Sequence, residues 1–261
     1  MMARAADDDV VESFKFPRTA HVLDAGGSGV SRDDLLLSAA DAAGFYAAPL
    51  VSVEEKVDGA CLALMCTRDL RIVGKNRAHV VNAASARQWS TLDAWIDGHR
   101  GALFDVLAPG GVPSRVLCGE WLYAKHSILY SRLPGVFCAF DLYDARARRF
   151  YSRARRDAAL EGSGLPTVPL IAERRLCGAE DVLALLETES RFTDGKVRVC
   201  VCVCACWLLA WLPRVDPAQP GRGPAGAISM GGIRETCKGA RVASASHPAI
   251  PARCSGGNPA G

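Results

Sequence analysis

The sequence predicts an α+β domain with largely antiparallel sheets. Two observations carry this prediction. Short apolar runs of strand length are interleaved with runs at helical spacing, and several of the strand-like runs are joined as hairpins by tight turns. At 261 residues and 49% hydrophobic content the chain can bury a sizeable core, and it shows no internal repeat.

Ser31 with Asp34 three residues on is a capping pair, and Leu35, Leu36, Ala39 and Ala43 then predict a short amphipathic helix ending near Gly44. Leu50 to Lys56 alternates apolar and polar from Val51 and meets Asp58-Gly59, which predicts a strand delivering Lys56 to a turn. Leu62 to Cys66 and Leu70 to Val73 flank Thr67-Arg68-Asp69 as a hairpin. Trp89, Leu92 and Ile96 recur at helical spacing, with Ser90 and Asp93 as a second capping pair. Arg115 to Leu122 and Val136 to Tyr143, each preceded by Pro and Gly, read as strands, and Ser152 to Leu160 and Ala179 to Leu186 as helices.

The formal net charge of +3 is unevenly spread: residues 198–261 carry 7 Lys and Arg against 2 Asp and Glu, which leaves 24 against 26 in residues 1–197. Global charge therefore does not mark a nucleic-acid binder, and any RNA contact must rest on local patches. An N-terminus with Asp7, Asp8, Asp9 and Glu12 lacks the features of a secretory or transit signal, so a cytoplasmic or nuclear location is expected. The longest apolar stretch, Val199 to Leu212, falls short of the roughly 20 residues that a membrane helix needs. Five of the eleven cysteines (Cys61, Cys66, Cys118, Cys138, Cys177) stand alone in apolar runs, which suits buried thiols rather than a disulfide framework.

Lys56-Val57-Asp58-Gly59 carries the first chemical hypothesis. A lysine whose pKa is lowered by nearby positive charge or a metal can attack the α-phosphorus of a nucleotide, and the glycine lets the backbone pass close to a bound group. Many surface turns match Lys-x-Asp-Gly alone. Here it is followed in order by Gly74-Lys75-Asn76-Arg77, by Cys118-Gly119-Glu120-Trp121 and by Phe137 to Asp144. In that order and spacing these resemble the motifs of the covalent nucleotidyltransferases, the superfamily of DNA ligases, RNA ligases and messenger-RNA capping enzymes. Lys15 to His21 and Gly119 to Ile128 are similar in wording to its ATP-dependent RNA ligase branch.

The resemblance implies an adenylation domain of antiparallel sheets flanked by helices over residues 15–197, preceded by a flexible segment, 1–14. It implies that Lys56 takes AMP from ATP with Mg2+ as cofactor, and that AMP then passes to an RNA 5′-phosphate before a 3′-hydroxyl displaces it. Glu55 would face the adenine, Arg77 the ribose or phosphates, Glu120 the ribose hydroxyls, and Phe140 would stack on the base, a contact worth about 0.5–1.5 kcal/mol beyond burial. Asp58, Gly59 and Lys75 would be further pocket residues. Lys125 and His126, and an arginine-rich run that includes Arg153, Arg155 and Arg156, are candidates for RNA phosphates, with a solvated surface as the alternative.

Family members continue with a glutamate strand and then a strand with two lysines near the α-phosphate. After Thr193 to Lys196 this chain instead runs into Val197-Arg-Val-Cys-Val-Cys-Val-Cys-Ala-Cys206 and a Pro/Gly/Ala/Ser-rich stretch, so the domain is expected to be C-terminally truncated and residues 198–261 a disordered tail. A dinucleotide repeat of G and T read in frame yields Val-Cys-Val-Cys, which suggests intron read-through or a frameshift. The alternative is a soft-metal site of Cys200, Cys202, Cys204 and Cys206, for which no Cys-x-x-Cys pair speaks. Loss of the lysine strand predicts an impaired enzyme, since one preorganised charged group is commonly worth roughly 10²–10³ in rate. It also predicts unpaired edges beside Lys56 and Glu120. The competing functions are a DNA ligase or capping-type enzyme, and a non-catalytic nucleotide- or RNA-binding remnant.

Overall fold

The computed structural model describes residues 11, 13–24, 35–193, 201–204 and 228–229. In chain order the first half contains β1 (Ala20–His21), β2 (Leu35–Leu36), α1 (Ala39–Ala47), β3 (Val51–Glu55), β4 (Ala60–Cys66), β5 (Ile72–Lys75), β6 (Val80–Val81), α2 (Leu92–Gly98) and α3 (Arg100–Leu107). The second half contains β7 (Arg115–Trp121), β8 (Phe137–Asp144), β9 (Arg149–Phe150), α4 (Arg153–Leu160), β10 (Leu170–Arg174), α5 (Ala179–Leu185), β11 (Val201–Cys204) and β12 (Ile228–Ser229). Two antiparallel sheets dominate, one of six strands in the order β6-β5-β4-β7-β8-β9 and one of four in the order β10-β3-β11-β12. The α+β class is as expected. No described helix is long and apolar enough to cross a membrane.

The six-stranded sheet is buried on both faces. Leu62 and Leu64 of β4, Leu117 of β7 and Leu142 of β8 pack with Trp89, Leu92, Ile96, Leu103 and Leu107. The alternate residues Ala63, Met65, Val116 and Cys118 pack on the other face with Val11, Phe14 and Phe150, as the two-residue period of a strand requires. Packing therefore begins ahead of residue 15. In the four-stranded sheet Val51 and Val53 lie under Phe45 of α1 and Val182 and Leu185 of α5. The other face of β3 carries Ser52 and Glu54, both buried.

Several local expectations are corrected. Leu35 and Leu36 form a short strand paired with β1, because Ser38, whose Oγ accepts from the Asp41 backbone N–H at 3.1 Å, caps the helix after them, and that helix runs past Gly44 to Ala47. Ser31 and Asp34 lie outside the described residues. Helix α2 is not capped by a Ser90–Asp93 pair: its N-cap is Thr91, and the Asp93 carboxylate accepts from the Ala83 N–H at 3.2 Å. Of the five solitary cysteines Cys66, Cys118 and Cys138 are buried, Cys61 is half-buried and Cys177 is exposed.

The largest correction concerns the edge beside Lys56. Within the Val-Cys repeat, β11 pairs antiparallel with β3 in the register Val201↔Glu55 to Cys204↔Ser52, so β3 has β10 on one side and β11 on the other. Strand β7, which carries Glu120, is likewise flanked by β4 and β8. Ladder bonds are made by main-chain groups, so a β-prone Val repeat can fill a place whose side-chain chemistry it does not share.

Candidate active site

A cavity of about 480 Å³ opens between the two sheets, within the range of sites for small organic ligands. Strand β3 ends at Glu55, and Lys56, the next residue, is exposed into this cavity. Val57 beside it is buried with Leu122, Cys138, Val168 and Phe192, and so anchors the turn that presents the lysine. The turn then passes against β7. The Gly59 N–H donates to Glu120 Oε1 at 2.9 Å, and a Cβ on Gly59 would lie 2.6 Å from the Trp121 carbonyl oxygen, so the approach has room only for glycine.

Five carboxylates line the cavity, Glu54, Glu55, Asp58, Glu120 and Asp141, and they differ in their surroundings. Glu55 is buried and accepts from the Ser190 hydroxyl and from the Arg191 N–H at 3.1 Å. Burial pushes the Asp58 carboxyl up, but hydrogen bonds from the Ser127 hydroxyl and N–H, with the charges of Lys56 and His126, outweigh it and leave the pKa below the ordinary range. Burial dominates at Glu120, raising its carboxyl to about 7 against the pull of Lys56, the Gly59 N–H and Arg77.

Across the cavity, Phe140 of β8 meets Phe16 edge-on with ring centroids 5.4 Å apart. Backbone bonds lace β8 to β3: Ala139 exchanges bonds with Pro166 and Val168, and the Glu55 N–H donates to the Pro169 carbonyl at 2.9 Å. This lacing brings Phe140 to the same cavity as Lys56. Arg77 lies on the turn after β5, shaped by Asn76, whose Oδ1 accepts from the Ala78 and His79 N–H groups at 2.9 and 2.7 Å.

Seven residues singled out from the sequence thus line one cavity: Lys56, Glu55, Asp58, Gly59, Arg77, Glu120 and Phe140. Others do not. Lys75 donates to the Phe14 carbonyl at 3.0 Å and secures the N-terminal segment. Lys125 and His126 are exposed beside the cavity rather than in its lining. Arg155 is exposed, with its guanidinium 4.2 Å from the Tyr151 ring centroid. Arg156 is only 2% exposed and is bound to Glu54, and Arg153 lies beside the same carboxylate, so the expected arginine surface is partly an internal ion-pair network.

Sequence reasoning missed Phe16, Thr19, Asn76, Trp89, Asp141 and Val168, all of which line the cavity. For Phe16 and Thr19 a signal existed in the Lys15 to His21 wording, whereas Trp89 read as a plain core position. Asp141 is buried, its Oδ2 has no hydrogen-bond partner among the described residues, and burial raises its carboxyl to about 7 although Arg156 pulls it down. Cys61 also lines the cavity, and burial pushes its thiol up to about 12, which removes it as a nucleophile. Among the described residues no group of three His, Cys, Asp or Glu could hold a metal ion. Cys200 and Cys206, and the side chains of Cys202 and Cys204, lie outside the described residues.

A lysine at a strand end thus shares with an aromatic ring and a carboxylate one cavity between two antiparallel sheets. The sequence matches the RNA ligase family over residues 49–200, more than half of its length, and the chain belongs to that family. No curated protein matches it. Its structure is similar to that of the Naegleria gruberi RNA ligase with pyrophosphate, at a TM-score of 0.53 and 16% identity over 83% of this chain and 60% of the other. A variant of that ligase with ATP and manganese gives 0.51 at 15% identity, over 81% of this chain and 59% of the other. The chain thus spans about three fifths of the length of these relatives, and the likeness is one of fold.

Proposed function

We propose that the cavity binds ATP and that Lys56 takes AMP from it, as the first step in sealing RNA ends. The observation that supports this best is the convergence of seven motif residues, spread over positions 55 to 140, on one cavity with Lys56 at its strand end. In the proposed step a deprotonated Lys56 Nζ attacks the α-phosphorus. A nitrogen–phosphorus bond forms, the bond to the bridging oxygen breaks, and pyrophosphate leaves. Little general acid or base chemistry is needed, so the rate rests on alignment and on positive charge against the phosphates.

Phe140 is assigned to the base, Glu120 in its ionised form to a ribose hydroxyl, and Arg77 to the phosphates. A divalent ion such as Mg2+ would arrive with the triphosphate and would offset phosphate charge. The RNA 5′-phosphate and 3′-hydroxyl would approach over the exposed Lys125 and His126, whereas Arg155 lies over Tyr151 with Arg115, at the end of β7 away from Glu120. Lys56 and Arg77 are the only bases among the described lining residues, which supports a slow enzyme and keeps open the reading of a nucleotide-binding remnant. We also infer that residues 198–261 come from intron read-through or a frameshift, which the transcript sequence across codon 197 tests.

The test is incubation of the full chain with α-labelled ATP or GTP and magnesium, alongside Lys56→Ala. Slow, ATP-specific labelling mapped to Lys56 and absent from the variant is expected. Label that survives the substitution refutes the assignment, binding without label supports the remnant, and rapid labelling refutes impairment.

A further inference from the structure

We propose that Arg156 is a positioning residue that sets the spacing between the strand carrying Lys56 and the strand carrying Phe140. The inference rests on the nucleotide-site reading above and assigns to Arg156 a role through its neighbours, with no contact to the nucleotide itself.

The guanidinium makes a fork that no other side chain could reproduce. Its Nη2 and Nη1 donate to Glu54 Oε1 and Oε2 at 2.6 and 3.0 Å, two residues before Lys56, and Nη1 also donates to the main-chain carbonyl of Phe140. Asp157 takes the remaining donors, from Nε at 2.9 Å and Nη2 at 2.7 Å. A ring of polar contacts supports the fork from outside. Arg153 Nε lies 3.6 Å from Glu54 Oε1, Arg153 Nη1 lies 3.8 Å from Glu173 Oε1, and the Ser52 hydroxyl donates to that same Glu173 oxygen at 2.6 Å.

One cation therefore joins β3 to β8 at the level of the cavity. A nucleotide with its base on Phe140 and its α-phosphorus at Lys56 spans both strands, so a change in their separation misaligns one end or the other. A misplacement of about 1 Å far from the chemistry can cost roughly 10²-fold. Stability alone does not account for the fork, because a buried ion pair is often no better than an apolar replacement of the same volume. A lysine could keep the charge opposite Glu54, but as a point charge on a flexible stem it could not hold both oxygens of Glu54 and the Phe140 carbonyl together.

The test measures ATP affinity of the full chain, from the fluorescence of Trp89 and the other tryptophans with magnesium present, together with thermal unfolding, for wild type, Arg156→Lys and Arg156→Met. We expect Arg156→Met to lose both stability and ATP affinity. Arg156→Lys should recover most of the melting temperature but still bind ATP about 10-fold more weakly. Recovery of ATP affinity along with stability in Arg156→Lys would overturn the proposal and leave a plain ion pair, with the nucleotide site intact. Failure of the wild type to bind ATP would overturn the site reading, and this inference with it. Should Arg156→Lys not fold, Asp157→Asn decides by the same criterion, because it weakens the bonds that orient the guanidinium from outside the cavity lining.

Discussion

The two sheets that enclose the cavity are held together by different physics. The six-stranded sheet, which supplies Glu120 and Phe140, buries aliphatic and aromatic side chains on both faces. The four-stranded sheet, which supplies Lys56, buries Val51 and Val53 on one face, while Ser52 and Glu54 on the other meet Glu173, Arg153 and Arg156. Apolar packing tolerates small shifts because it is non-directional. Hydrogen-bonded forks do not, since their strength depends on distance and angle. The strand that ends beside Lys56 is thus fixed by direction, and its partner sheet by volume.

The sharpest way to break this comparison is to injure each sheet once. Leu117→Ala, in the apolar core, should cost about 2–5 kcal/mol of stability in a denaturant titration yet leave ATP affinity within about twofold at temperatures where the variant is folded. Glu54→Ala should cost about 3 kcal/mol, the low end for breaking a buried pair because Asp157 still faces Arg156, and should also lower ATP affinity about 10-fold. Equal effects on binding from both substitutions would erase the distinction.

A second effect follows from Asp141. Its carboxyl is raised from the ordinary 3.8 to about 7, so the folded state keeps a proton that the unfolded chain releases. Stability should therefore fall as pH rises from about 4 to 7 and level off above, with Glu120 adding the same sign over its own interval. Asp141→Asn should flatten this decline by no more than about 4 kcal/mol, at 1.36 kcal/mol per pH unit, read as melting temperature against pH. A smaller cost, about 1–3 kcal/mol, is expected for Gly59→Ala, whose new methyl meets main chain on β7. There a loss of ATP affinity should accompany the loss of stability, since the turn carries Lys56.

Legibility in the sequence followed the range of the interactions. The strand before Lys56, its turn and the strands around Glu120 and Phe140 were readable because alternation and turn residues are local signals. Helix α3 and strand β10 were not read at all. In α3 the pattern is interrupted by Gly101, and in β10 no residue is fully buried, so neither offered a clean period. Arg156 read as part of a solvated arginine run because its partner Glu54 lies 102 residues away, a pairing that no window of sequence shows. The Val-Cys repeat read as foreign text by composition, yet β11 takes a place in the ladder, since main-chain bonding asks little of the side chains.

Whether Lys56 and Phe140 act on the two ends of one bound adenine nucleotide is decided by mapping the site of AMP attachment. The full chain would be incubated with labelled ATP and magnesium over an extended time course and digested, and the labelled peptide identified in wild type, Lys56→Ala and Phe140→Ala. Label is expected on Lys56 in the wild type, with none in Lys56→Ala and a higher ATP requirement in Phe140→Ala. Label on another residue, or undiminished label in Lys56→Ala, would contradict the assignment of Lys56.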